Sequence, residues 1–144
     1  MYQIIILPLL AGFLTQFIKI FIRQNNLKFS FKNLSAYSGM PSGHAATVSS
    51  LATIVGLIEG WHSPLFAISF IVAFLTIRDA VGIRMYLGEH GKTLNRLVQD
   101  LDEDKMLDQK YPHLLERIGH TPLQVTVGAI FGILISLVGF YIWS

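Results

Sequence analysis

The chain predicts an all-α fold, an integral membrane four-helix transmembrane bundle with a cytoplasmic helical loop between its third and fourth spans. Three observations point there. Of its 144 residues, 52% are hydrophobic and only 14% charged, with a mean hydropathy of +0.52, too apolar for an ordinary soluble domain. Four apolar segments stand out, at about 2–22, 44–60, 64–83 and 121–143. All eleven Lys and Arg residues fall in two intervening loops, 23–43 and 84–120, or at the span ends beside them. The length has room for a single membrane domain, 1–144.

The first span has no basic residue before its apolar run and no small-residue cleavage pattern after it, so it reads as a retained span rather than a signal peptide. The second opens at Pro41-Ser42-Gly43-His44 and carries Ala46, Ser49, Ser50, Thr53, Gly56 and Gly60 at three- and four-residue intervals. Such small residues let helix backbones approach closely where lipid offers no hydrophobic drive for association. A tight connection from Glu59 to Pro64 joins it to the third span as a helical hairpin, with Trp61 at the interface. In the long loop, Leu94, Leu97, Val98 and Leu101 recur at helical spacing, followed by an acidic run over 100–104 and by Met106 and Leu107. This predicts a cytoplasmic helical hairpin, read as a surface helix packed on the bundle in preference to a lid, with the acidic run a solvated face. The fourth span opens after His120-Thr121-Pro122 and carries Gly128 and Gly132 as a packing stripe.

Four spans put both loops on one side, and the positive-inside bias makes that side cytoplasmic, with the termini outside the cell membrane. A sequence pI near 9 would suggest nucleic acid in a soluble protein. Here the cations flank spans and face anionic membrane lipid, so no nucleic-acid partner is expected. Cysteine is absent, which excludes disulfides and thiolate metal sites, and neither a metal cluster nor a cofactor is expected.

Polar and ionisable features gather at the cytoplasmic rim: Lys19 near the end of the first span, Ser42, Gly43 and His44 at the start of the second, Arg78, Asp79 and Arg84 closing the third, and His120 opening the fourth. Each has an ordinary reading: a snorkelling Lys19, an N-cap at Ser42, interhelical pairing for Arg78 and Asp79, a flanking cation at Arg84, a loop residue at His120. Together they read as an electropositive pocket for a phosphate at headgroup depth, because helix N-termini offer unpaired N–H groups and a positive dipole end. One imidazole can attack phosphorus while the other protonates the leaving oxygen.

The residues also resemble a known family. Pro41-Ser42-Gly43-His44 matches a signature of the type 2 phosphatidic acid phosphatase superfamily, and His120-Thr121-Pro122 with Gly128 and Gly132 resembles another, in which a nucleophilic His opens the last core helix. The nearest likeness is to the divergent branch of small bacterial and plant membrane proteins, through Gly39 to His44, Asp79 to Arg84, Leu94-Asn95 and Gly119 to Pro122, over nearly the whole chain. This resemblance implies a metal-independent phosphatase acting on lipid phosphates or diphosphates through a phosphohistidine. It implies His120 as nucleophile, His44 as general acid, and Lys19, Ser42, the Gly43 N–H and Arg84 as phosphate ligands. The partner it implies is a phosphorylated lipid; the exposed small-residue faces would in addition suit a homodimer.

The sequence departs from the superfamily pattern in three places. Gln124 stands where an Asp orients the nucleophilic His, leaving Asp79 on the neighbouring helix to take that part. Leu114 replaces the Arg that precedes this His, so Arg84 supplies the guanidinium, and Asn26 interrupts the first signature. Arg84 and His90 reproduce the usual Arg-to-His spacing, but no helix-opening Pro follows His90, and His120 is preferred. The departures keep a second class of function open, a catalytically impaired lipid-phosphate-binding or scaffolding membrane protein. A small transporter ranks last, because the charges lie at one rim rather than at the bilayer midplane.

Overall fold

The computed structural model describes residues 2–21, 39–101, 113–116 and 118–143. They form five helices: α1 (Gln3–Phe21), α2 (Gly43–Glu59), α3 (Pro64–Val81), α4 (Ile83–Leu101) and α5 (Pro122–Trp143). No strand occurs among the described residues. Helices α1, α2, α3 and α5 coincide with the four apolar segments, within a few residues.

The shortest of them lies at the centre. α2 packs against α5, α1 and α3, and its Ala46, Ser49, Ser50, Thr53 and Gly56 are buried, as the small-residue spacing predicts. A Cβ on Gly132 of α5 would strike the Ala46 carbonyl, so the two backbones touch there. One turn on, Ser136 donates its hydroxyl to the Ser50 carbonyl (2.8 Å) and accepts from the Ser50 hydroxyl (2.7 Å), a polar clasp in an apolar seam. The α2–α3 turn is built by Ser63, whose Oγ accepts from the Phe66 N–H (3.1 Å) ahead of Pro64 in the first helical turn. Trp61 lies over Gly56 and edge-on to Phe66.

Outward faces of α1, α3 and α5 carry exposed Leu9, Phe13, Ile68, Phe74, Ile130 and Val138, an apolar surface suited to lipid. By length and composition, two helical stretches are long and apolar enough to cross a membrane, Pro64–Leu101 and Pro122–Trp143, and Gln3–Lys19 is a shorter apolar helix.

The long loop differs from expectation. α3 ends at Val81, where the Gly82 N–H bonds back to the Arg78 carbonyl (2.8 Å), and α4 starts at once because Met85 and Tyr86 donate to the Gly82 carbonyl (3.0 and 3.2 Å). The predicted helical spacing from Leu94 to Leu101 therefore belongs to a helix that begins earlier, at Ile83. Among the helices, α4 touches α3 alone. Gly88 and Gly91 lie against the backbone of the returning segment, and Asn95 clamps it, donating to the Leu114 carbonyl (2.9 Å) and accepting the Leu114 N–H (2.9 Å). That segment, 113–116 and 118, is not helical, so the expected hairpin has one helical limb where it is described. Residues 102–112, with most of the acidic run, and Asn26 lie outside the described residues.

Candidate functional site

Two helix starts meet at one end of the bundle. At the first, Ser42 is the N-cap of α2: its backbone is extended (φ −72°, ψ 117°) and its buried Oγ faces the Ala45 N–H at 3.4 Å. Gly43 follows and His44 sits in the first turn with its side chain exposed. The Ser42 N–H donates to the Gln124 carbonyl of α5 (3.0 Å). A Cβ on Gly128 would run into the Ser42 carbonyl, so only a glycine lets α5 lie this close to the cap.

The second start is a capping box, Thr121-Pro122-Leu123-Gln124. Thr121 Oγ1 accepts from the Gln124 N–H (3.3 Å), and Gln124 Oε1 accepts from the Thr121 N–H (3.2 Å). The same Oε1 lies 3.2 Å from His120 Nδ1. Since that oxygen already accepts from the Thr121 peptide, it accepts here too, which puts the imidazole hydrogen on Nδ1 and leaves a lone pair on Nε2.

His120 is held as firmly by its backbone. Its N–H donates to the Ala80 carbonyl of α3 (3.0 Å), and Gly119 (φ +93°) presses on the chain where α4 begins, where a Cβ would come within 2.7 Å of Met85 N. A positive φ and a close approach both demand glycine at that position. The His120 residue is 3% exposed. Burial pushes its imidazole down from the ordinary 6.5 to about 4; the Gln124 bond works against that shift, and the charges of Lys19, His44 and Arg84 work with it. The ring is a neutral base at physiological pH.

The cations that act on His120 are the expected ones. Lys19, in the last turn of α1, is 2% exposed, and it, Arg84 and Asp79 are also the charges that act on His44. Arg84 Nε donates to Asp79 Oδ2 at 2.6 Å, an ion pair that spans the α3–α4 break. This pairing uses Nε, so the guanidinium retains its two Nη groups as donors. The structure thus gathers His120, His44, Lys19, Ser42, Gly43 and Arg84 at one end.

Two expectations change. Asp79 does not orient His120: it is bonded to Arg84, and Gln124 occupies the place at Nδ1. Arg78 stands apart, exposed at the end of α3. His90 is exposed on α4 and is not among the groups whose charge acts on His120. No group of three or more His, Asp or Glu side chains placed to hold a metal occurs among the described residues. The sequence carried a signal for Gln124, since Thr-x-x-Gln before an apolar run is a capping-box pattern. Asn95, which fixes the segment leading into His120, was marked only through the Leu94-Asn95 likeness, with nothing local to name its partner.

Comparison with known proteins identifies the family. The model of the Divergent PAP2 family matches residues 2–135. An uncharacterized membrane protein of Bacillus subtilis, YuiD, is 38% identical over 120 residues, covering 77% of this chain and 76% of its own length. No solved structure matches. With a surface suited to lipid and a family match over nearly its whole length, the chain is a membrane protein belonging to the Divergent PAP2 family.

Proposed function

We propose that the protein is a membrane-embedded phosphatase of lipid phosphates or diphosphates, working through a phosphohistidine on His120. The observation that carries this reading is the Gln124–His120 bond, which leaves Nε2 of a buried, neutral imidazole available beside Lys19, Arg84 and His44. Nε2 attacks phosphorus in line, the P–O bond to the lipid breaks, and the departing oxygen takes a proton from His44. Water then attacks the phosphohistidine, returns a proton to His44 and releases phosphate. Lys19, Arg84, the Ser42 hydroxyl and the Gly43 N–H hold the non-reacting oxygens, a role favoured by the α2 dipole. In this reading α1, α2, α3 and α5 span the membrane with both termini outside, and the site opens to the cytoplasm at headgroup depth.

The test is phosphate release from a panel of lipid mono- and diphosphates by purified protein, with His120→Ala and His44→Ala alongside, and acid-labile, alkali-stable phosphate label on the wild type. Vanadate or phosphate seated between the two imidazoles would support the same roles. One observation favours a second reading, a lipid-phosphate-binding protein without turnover: Gln124 positions a neutral ring but lacks the carboxylate charge that stabilises imidazolium. Saturable binding across the panel with no phosphate released would select that reading.

A further inference from the structure

Beside His44 a groove of about 410 Å³ opens between α1 and α2, lined by Leu9, Gly12, Phe13, Gln16, Gly43, His44, Thr47 and Val48. Its size is in the roughly 300–1,000 Å³ range of small-molecule sites. A Cβ on Gly43 would come within 3.0 Å of Gln16, and one on Gly12 would meet Thr47, so the two helices run antiparallel along the groove and glycines form its floor. Polarity changes in one direction. Gln16, Gly43 and His44 lie at the end next to the phosphate cradle, and Leu9 lies about two helical turns, or about 10 Å, farther into the bundle. A head-to-tail gradient of this kind fits one amphiphilic chain.

The polar end is incomplete. Gln16 Oε1 is buried, and of the buried side-chain oxygens and nitrogens among the described residues it is the one with no hydrogen-bond partner. A buried acceptor left unmatched is costly, so a ligand that supplies a donor there gains more than one that does not. We propose that the α1–α2 groove is a subsite for the chain of an amphiphilic phosphate, and that Gln16 reads a hydroxyl carried beside that phosphate, which donates to Oε1. The placement of the phosphate rests on the function proposed above; the groove and the unmatched oxygen stand independently of it.

The probes are oleoyl lysophosphatidate and its 2-deoxy analogue, matched in chain and phosphate and differing in one hydroxyl, offered to the full-length protein in detergent. Both turnover and equilibrium binding are measured. The wild type is expected to favour the hydroxylated compound about tenfold in KM and in affinity. Gln16→Leu removes the preference by weakening the hydroxylated compound alone, and unchanged handling of the deoxy analogue shows that the variant is folded. Leu9→Trp, which fills the apolar end, weakens both oleoyl compounds while sparing a short-chain phosphate. Turnover of both probes with equal KM, unchanged by Gln16→Leu, overturns the subsite and leaves the phosphatase reading intact. Binding discrimination that Gln16→Leu abolishes, with no turnover of either probe, supports the subsite and removes the phosphatase reading instead.

Discussion

The starts of α2 and α5 are built from the same parts, a capping hydroxyl and a histidine, yet they hold their imidazoles in opposite ways. At α2 the histidine follows the cap, and His44 lies open in the first turn. At α5 it precedes the cap, and His120 is buried, tied through its peptide to Ala80 and through its ring to Gln124. Moving a histidine from one side of a cap to the other thus decides whether its ring can exchange protons with water or is kept dry, neutral and aimed. A nucleophile needs the second environment and a general acid the first. The two starts are pinned to each other by the Ser42 N–H on the Gln124 carbonyl and by Gly128 under the cap, which fixes the spacing of their backbones.

The sharpest way to break this comparison is to delete each ring and vary the leaving group. His120→Ala is expected to lose on the order of 10⁴-fold or more in kcat on every substrate, because nothing replaces a covalent nucleophile. His44→Ala is expected to lose about 10²- to 10⁴-fold on alkyl phosphates and far less on a nitrophenyl phosphate, whose leaving oxygen needs no proton. Equal losses on both substrate types for both variants would show that the two starts do not divide the labour.

Gln124 carries the next largest effect. Gln124→Leu is expected to cost on the order of 10²-fold in kcat with KM little changed, since the ring loses its orientation and its tautomer while the phosphate ligands remain. Gln124→Glu keeps the hydrogen bond and adds a charge that favours imidazolium. It should raise the acid limb of the kcat/KM profile by about one to three pH units above the position near 4 expected from His120 in the wild type. A limb that stays put in Gln124→Glu would place the controlling titration elsewhere.

Much of this arrangement was legible in the sequence, and the reason is local. Apolar runs mark α1, α3 and α5, Ser42 and Pro122 mark helix starts, and the small-residue spacing of α2 foretells its place at the centre, because each of these signals acts within a few residues of itself. What escaped depends on partners distant in the chain. The first half of α4, from Ile83, was hidden because Gly88 and Gly91, which interrupt its apolar pattern, are sites of contact with the backbone of Leu115, Glu116 and Ile118. Asp79 belongs to Arg84 rather than to His120 because the Gly82 break turns the chain between them, which spacing alone does not reveal. Gln124 looks like a weakened Asp only when compared position by position; as the N3 residue of a capping box it has a use of its own.

Stability against pH probes the buried ring without any substrate. His120 binds its proton near pH 4 in the folded protein and near 6.5 when unfolded, so between those values the unfolded state holds more protons. The contribution is fully present above about pH 6.5 and is lost as pH falls through 6.5 toward 4, amounting to about 3 kcal/mol at its largest. Thermal unfolding of the wild type and of His120→Gln, compared from pH 7.5 to 4.5, should diverge in that window, the wild type losing more. Parallel curves would show that the ring is solvated, and the contrast with His44 would disappear.

The smallest effects separate the two caps themselves. Thr121 Oγ1 takes the Gln124 N–H at 3.3 Å inside a reciprocal box, so Thr121→Ala should destabilise the fold by about 1 kcal/mol and loosen the residue that holds His120. Ser42 Oγ accepts from the Ala45 N–H at 3.4 Å, which leaves the hydroxyl hydrogen to donate to a phosphate oxygen. Ser42→Ala should therefore cost less than Thr121→Ala in unfolding temperature and more in KM, by severalfold, with kcat changed little. If instead Ser42→Ala lowers stability as much as Thr121→Ala and leaves KM alone, the hydroxyl is only a cap, and the anion-holding part of the α2 start reduces to its backbone N–H groups.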